Sequence, residues 1–193
     1  MKPNQQVVLT RDCEATTVPG GSQYFLRAGS TVRVTQALGG SYTVMNDSGY
    51  ILRIEAKDAD ALGLEQAAAV ETKSADFSEK LVWDELKTVY DPEIPVNVVD
   101  LGLIYACDIA SIADNPDDHK LDIKMTMTAP GCGMGGILKA DIERRLQQLP
   151  TVKEVNVEIV FEPPWHPGKM SEAARLQLGL DLEDSPLPMY GRE

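Results

Sequence analysis

The 193-residue sequence predicts an α+β protein: a small α-β-β-α-β-α sandwich preceded by a small all-β, barrel-like module. Three observations carry that expectation. Residues 5–57 hold short apolar runs separated by turn residues at close intervals, a spacing of strands rather than helices. Residues 121–128 alternate strictly, with Leu121, Ile123, Met125 and Met127 on one side and Asp122, Lys124, Thr126 and Thr128 on the other. Leu138, Ile142, Leu146 and Leu149 fall instead at helical spacing, and Pro150 stops that run.

Taken in order, the first module (residues 1–60) reads as Val7-Val8-Leu9, then Tyr24-Phe25-Leu26 after Pro19-Gly20-Gly21. The alternating Val32 and Val34 follow Gly29, Tyr42-Thr43-Val44 follows Gly39-Gly40, and Ile51-Leu52-Arg53-Ile54 follows Gly49. Residues 61–77 shift to small and polar types and read as a linker. The second domain, residues 78–180, opens on a helix for which Asp76 and Glu79 have capping-box spacing, and which carries Val82, Leu86, Val89 and Tyr90 on one face. Asp91-Pro92-Glu93-Ile94-Pro95 ends it. A strand with Leu103, Tyr105, Cys107 and Ile109 on one side pairs as an antiparallel hairpin with the strand of residues 121–128, across an acidic loop from Ser111 to Lys120. After the helix of residues 138–149, Val155, Val157, Ile159 and Phe161 alternate along a strand expected to run parallel to the one before that helix. Ser171 caps a short helix through Gln177, with Gly179 at its end, and residues 181–193 form an acidic, proline-containing tail.

Composition excludes several functions. Residues 1–75 carry 7 Lys and Arg against 8 Asp and Glu, whereas residues 76–193 carry 11 against 22, so almost all of the −12 charge sits in the second part. Such a surface repels phosphate backbones and argues against nucleic acid. No run approaches the ~20 apolar residues of a membrane span, and residues 1–6 lack the apolar stretch of a signal peptide. Cys13, Cys107 and Cys132 stand far apart, a sparse and odd count that fits a reducing cytoplasm. Cys107 reads as core. Cys13, between charged neighbours, is expected near the surface but without a companion ligand. The two histidines are too few for a metal site: His119 is expected to be solvated in the acidic loop, and His166 could approach Cys132 only if the tail folds back.

Candidate chemistry concentrates at residues 126–136. Cys132 lies between a strand end and a helix start, where free N–H groups and the helix dipole favour a thiolate. The flanking Gly131 and Gly133 let a backbone approach whatever the sulfur holds. A structural reading, in which Cys132 packs and the glycines make a tight turn, stands beside it. Gly131, Gly133 and Gly136 also spell a dinucleotide-type pattern, with Glu158 22 residues beyond Gly136. The hairpin context and the single βαβ unit argue against that enzyme reading. Asp91 and Glu93 form a proline-stiffened acidic loop, readable as hard-metal ligands or as solvated acids. No Ser-His-Asp order, HExxH or cysteine quartet occurs.

Four motifs in order carry a resemblance: Asp91-Pro92-Glu93-Ile94-Pro95, Asp100-Leu101-Gly102-Leu103-Ile104-Tyr105, Thr126-Met127-Thr128-Ala129-Pro130-Gly131-Cys132, and Pro163-Pro164-Trp165. Over residues 78–180 the chain resembles the small cluster-assembly domain of SufT-type proteins. That domain also occurs in cytosolic iron–sulfur targeting factors and in a phenylacetyl-CoA oxygenase subunit. The N-terminal Arg11-Asp12-Cys13-Glu14-Ala15 and Leu38-Gly39-Gly40-Ser41-Tyr42-Thr43-Val44 are similar to SufT rather than to single-domain relatives. The resemblance implies a non-enzymatic, cytoplasmic auxiliary factor in iron–sulfur protein maturation. It implies Cys132 as cluster ligand or transfer thiol, Gly131 and Gly133 beside it, and Asp91, Glu93, Thr128 and Trp165 in support. An iron–sulfur cluster would be held transiently, and the partners would be scaffold and client proteins. One cysteine cannot supply four thiolates, so a homodimer, a partner or a small thiol must complete the set. Many relatives have Cys-Pro where this chain has Cys132-Gly133. The alternative is a protein-interaction adaptor in which Cys132 is structural.

Overall fold

Residues 5–54 form six strands, all but the first two joined through glycine-containing turns: β1 (Gln5–Val8), β2 (Cys13–Thr17), β3 (Gln23–Leu26), β4 (Thr31–Leu38), β5 (Ser41–Asn46) and β6 (Ile51–Ile54). The computed structural model describes residues 5–64, 77–113, 115–131 and 133–180. The six strands form one antiparallel sheet in the order β1-β4-β5-β6-β2-β3. That order corrects the expected barrel. β1 and β3 are its two edges, and no register joins them among the described residues. Both edge strands have four residues, too short a ladder to bend the sheet closed. The open end is filled by a 3-10 segment, Ala56–Leu62, which buries Ala61 and Leu62 in the core, while Thr10 N donates to Ala61 O at 2.9 Å.

β2 is an element the apolar pattern does not announce. Cys13 and Ala15 point into the core with Leu26, Val32, Val34, Val44, Leu52 and Ile54, so Cys13 is buried rather than near the surface. The intervening Glu14 takes the other face, as alternation requires.

The second unit runs α1 (Glu79–Leu86), β7 (Ile104–Ile112), β8 (Asn115–Met125), α2 (Gly135–Leu146), β9 (Val152–Ile159) and α3 (Glu172–Gln177). α1 is capped by Ser78, whose side chain accepts from Leu81 N; Asp76 lies outside the described residues. β7 and β8 pair antiparallel and β8 and β9 parallel, with β8 central. The acidic stretch expected as a loop belongs largely to β8. Pairing jumps from Ser111↔His119 to Ile112↔Asn115, so Pro116, Asp117 and Asp118 sit in an irregularity where proline's missing N–H costs no ladder bond. His119 is not solvated: its ring stacks on Phe77 at 3.8 Å and its Nδ1 lies 3.0 Å from Thr151 Oγ1. The core gathers Val82 and Leu86 of α1, Leu121, Ile123 and Met125 of β8, Leu138, Ile142 and Leu146 of α2, and Val157 of β9. Ser171 caps α3 by accepting from Ala174 N at 3.1 Å. Among the described residues no helix is long and apolar enough to cross a membrane.

The units meet through charge. Arg53 stands between Thr16 and Thr43 on neighbouring strands, on the sheet face opposite Leu52 and Ile54. That face lies under α2, where Arg53 Nη2 meets Asp141 Oδ2 at 3.0 Å, with the two side chains 1% and 5% exposed. Arg144 and Arg145 also bind Asp141, and Arg145 donates to Gly39 O and to Thr88 Oγ1. Burial by itself raises the Asp141 carboxyl, but Arg145, Arg53 and Arg144 together hold it below its ordinary value.

Candidate functional site

The acidic loop is built by its own first residue. Asp91 is buried, and its Oδ1 accepts from Glu93 N at 2.8 Å and Ile94 N at 2.9 Å, so the carboxylate closes the turn that Pro92 and Pro95 stiffen. Burial raises the Asp91 pKa, against the pull of the Ile94 and Glu93 amides and of Arg53. Glu93 is exposed; its partial burial and then the Asp91 charge raise it as well. Two strands of the first sheet grip the same loop: Gln36 Nε2 donates to Asp91 O at 3.0 Å and Thr43 Oγ1 to Pro92 O at 3.2 Å. A cleft of about 660 Å³ between sheet and loop is lined by Gln36, Thr43, Ile51, Pro92, Glu93 and Pro95.

The second candidate segment leaves β8 at Met125. Thr126 is buried and its N–H donates to Leu103 O at 2.8 Å; Thr128 is half-buried. Gly131 is exposed with φ +81°, and Gly133 is exposed. Cys132 itself lies outside the described residues. Met134, buried at 1% exposure, is the N-cap position of α2. Gly133 approaches the first sheet backbone to backbone. A Cβ on it would stand 2.5 Å from Gly20 O and 2.8 Å from Pro19 O, and a Cβ on Gly21 would overlap Gly133 O. Contact with the turn between β2 and β3, rather than space for a ligand alone, therefore demands glycine here.

Trp165 is half-buried against the second core and donates from Nε1 to Leu101 O at 2.9 Å, which ties the Pro163-Pro164-Trp165 segment down. Tyr105 Oη reaches Pro163 O at 2.9 Å. The remaining thiols are packed. Burial raises the Cys13 pKa, with Asp58 adding to it, and burial pushes the Cys107 thiol up to about 11, helped by Glu79 and Asp108. Among the described residues no three His, Cys, Asp or Glu side chains are grouped as a metal site.

Sequence reasoning missed Arg53, Asp141, Gln36, Thr43 and the Pro19-Gly20-Gly21 turn, which hold the two candidate segments. One signal was present. A lone arginine inside Ile51-Leu52-Arg53-Ile54 marks either a solvated face or a buried ion pair, and only the fold separates the two.

A family model described as iron-sulfur cluster assembly protein matches residues 79–159. An Fe-S protein maturation auxiliary factor of Porphyromonas gingivalis is 44% identical over 94 residues, which are 49% of this chain and 84% of that protein. The Fe-S protein maturation auxiliary factor SufT of Staphylococcus aureus is 33% identical over 92 residues, 48% of this chain and 98% of that one. Among solved structures, a domain of unknown function, DUF59, from Bacillus anthracis is 36% identical. The likeness covers 53% of this chain and 92% of that one with a TM-score of 0.46. The family match begins after the six-stranded sheet.

Proposed function

The chain belongs to the SufT-type family of iron–sulfur cluster assembly accessory proteins, and from that premise we propose that it matures iron–sulfur proteins through Cys132. The role is that of a non-enzymatic, cytoplasmic auxiliary factor. Cys132 serves as cluster ligand or transfer thiol, in the second of the two units. One observation carries the choice of thiol. Cys13 and Cys107 are packed with raised pKa values, whereas Cys132 stands in sequence between two exposed glycines, inside the matched stretch and two residues before the N-cap of α2. Thiols that stay protonated are poor ligands and poor nucleophiles.

The cluster is cargo, taken up and released by exchange of thiolate ligands on iron with no change in oxidation state. One Cys132 thiolate leaves the coordination incomplete. A second copy of the chain, a scaffold or client thiolate, or a small thiol completes it. Asp91, already occupied in closing its turn, supports by shaping the loop rather than by ligation. Glu93 is the exposed carboxylate of that loop, open to partners. Gly131, Thr128 and Trp165 are the remaining residues assigned a supporting part.

Cells lacking the native chain test this reading. Cys132→Ala is expected to accumulate and fold normally yet leave client iron–sulfur enzymes inactive under high cluster demand. Normal client activity with that variant would favour the adaptor, in which surfaces rather than the thiol do the work.

A further inference from the structure

We infer that the six-stranded sheet is a positioning module for the segment bearing Cys132, acting through its Pro19-Gly20-Gly21 turn. The inference rests on the reading of Cys132 as the working thiol. Gly131, Gly133, Gly135 and Gly136 give the segment few side chains to pack, and glycine loses more chain entropy on ordering than any other residue. The first sheet anchors it on both sides of Met134. Upstream, the Pro19 and Gly20 carbonyls and Gly21 sit against the Gly133 backbone so closely that a Cβ fits on neither Gly21 nor Gly133. Downstream, Arg53 of the same sheet binds Asp141 on α2, and Arg145 of α2 returns a bond to Gly39 O.

Gly131 and Gly133 stay exposed, Gly133 despite its contact with the turn. A site held to within a fraction of an ångström by its supporting shell works better than a loose one. The two relatives are matched over 84% and 98% of their own lengths by half of this chain, and the family match begins at residue 79, after the Pro19-Gly20-Gly21 turn.

The test uses the intact metal-free chain and two glycine replacements. Gly21→Ala introduces a Cβ into the Gly133 backbone. Gly29→Ala carries a similar left-handed backbone (φ +79° against +69°) but opens into empty space, so it reports the strain without the contact. Hydrogen exchange of residues 131–138 and the iodoacetamide alkylation rate of Cys132 are measured, with Cys13 and Cys107 as internal references. Gly21→Ala is expected to speed exchange there by about tenfold and to change Cys132 alkylation at least about threefold relative to Gly29→Ala. The two reference thiols should behave alike in both variants. Indistinguishable exchange and alkylation in the two variants would overturn the proposal. Should Gly21→Ala not fold, Gly133→Ala breaks the same contact from the other side, with the same readouts and the same expected and contradicting results. Neither readout requires a cluster, so a failure of Cys132 to bind iron would leave this result standing.

Discussion

The two sheets solve the same packing problem and are used for different ends. The first, six-stranded and nearly neutral, buries a core of Leu52, Ile54 and Val44 on one face and spends its other face on the second unit. The second belongs to an acidic unit whose loops carry every candidate site residue and which holds the whole of the family match. What the first contributes to the site is placement. Gln36 and Thr43 hold the acidic loop, Gly20 and Gly21 the glycine segment, and Arg53 the helix that follows it. The candidate site residues sit in one unit, and the other unit contacts the segments that carry them.

Breaking the charge link between the units should have the largest effect. Asp141→Ala leaves Arg53 buried with Glu55, at 3.2 Å, as its remaining ion pair among the described residues, and removing one partner of a buried pair costs about 3–5 kcal/mol. Urea unfolding should show that loss, and Arg53→Met combined with Asp141→Leu should recover much of it. Next, Leu52→Ala in the first core and Leu138→Ala in the second should each cost about 2–5 kcal/mol. Both should shift one common unfolding transition, measured by circular dichroism and tryptophan fluorescence; two separate transitions would show that the units are not coupled.

Acid titration sharpens the contrast further. Asp141 is held below its ordinary 3.8, so its stabilisation is present above that value and is lost as pH falls through the lower folded value. Asp91 is raised above 3.8, so its contribution is greatest below 3.8 and is lost as pH rises through the higher folded value. At neutral pH Asp141→Asn should therefore destabilise, while Asp91→Asn, which keeps the carbonyl acceptor of the turn, should be neutral or stabilising. A matching loss in both variants would contradict these opposite signs. Smallest are the caps: Ser78→Ala and Ser171→Ala should each cost about 1 kcal/mol in the same unfolding measurement.

Much of the second unit was legible in the chain because its periodicities are clean. The stripe Leu138, Ile142, Leu146 is fully buried, the pairing of β8 with β7 and β9 has the expected directions, and Ser171 caps α3. The first unit was less legible. Cys13-Glu14-Ala15-Thr16 has too little apolar surface to announce a strand, and short strands alone do not say whether a sheet closes. Tertiary burial of Arg53 and the backbone contact at Gly133 were hidden for one reason. A sheet face that reads as solvent-facing can lie under a helix, and a glycine's sequence neighbours do not reveal which distant backbone it touches. The proposal for Cys132 rests on motif order rather than on ligand spacing, since a single thiol defines no coordination geometry.

Anaerobic reconstitution with iron and sulfide, comparing wild type with Cys132→Ala, tests the thiol most directly. Wild type is expected to retain iron and sulfide and to absorb in the visible region, and the variant to lose both while unfolding at the same temperature. Equal iron and equal absorbance in the two proteins would contradict the assignment of Cys132 as the cluster-handling thiol.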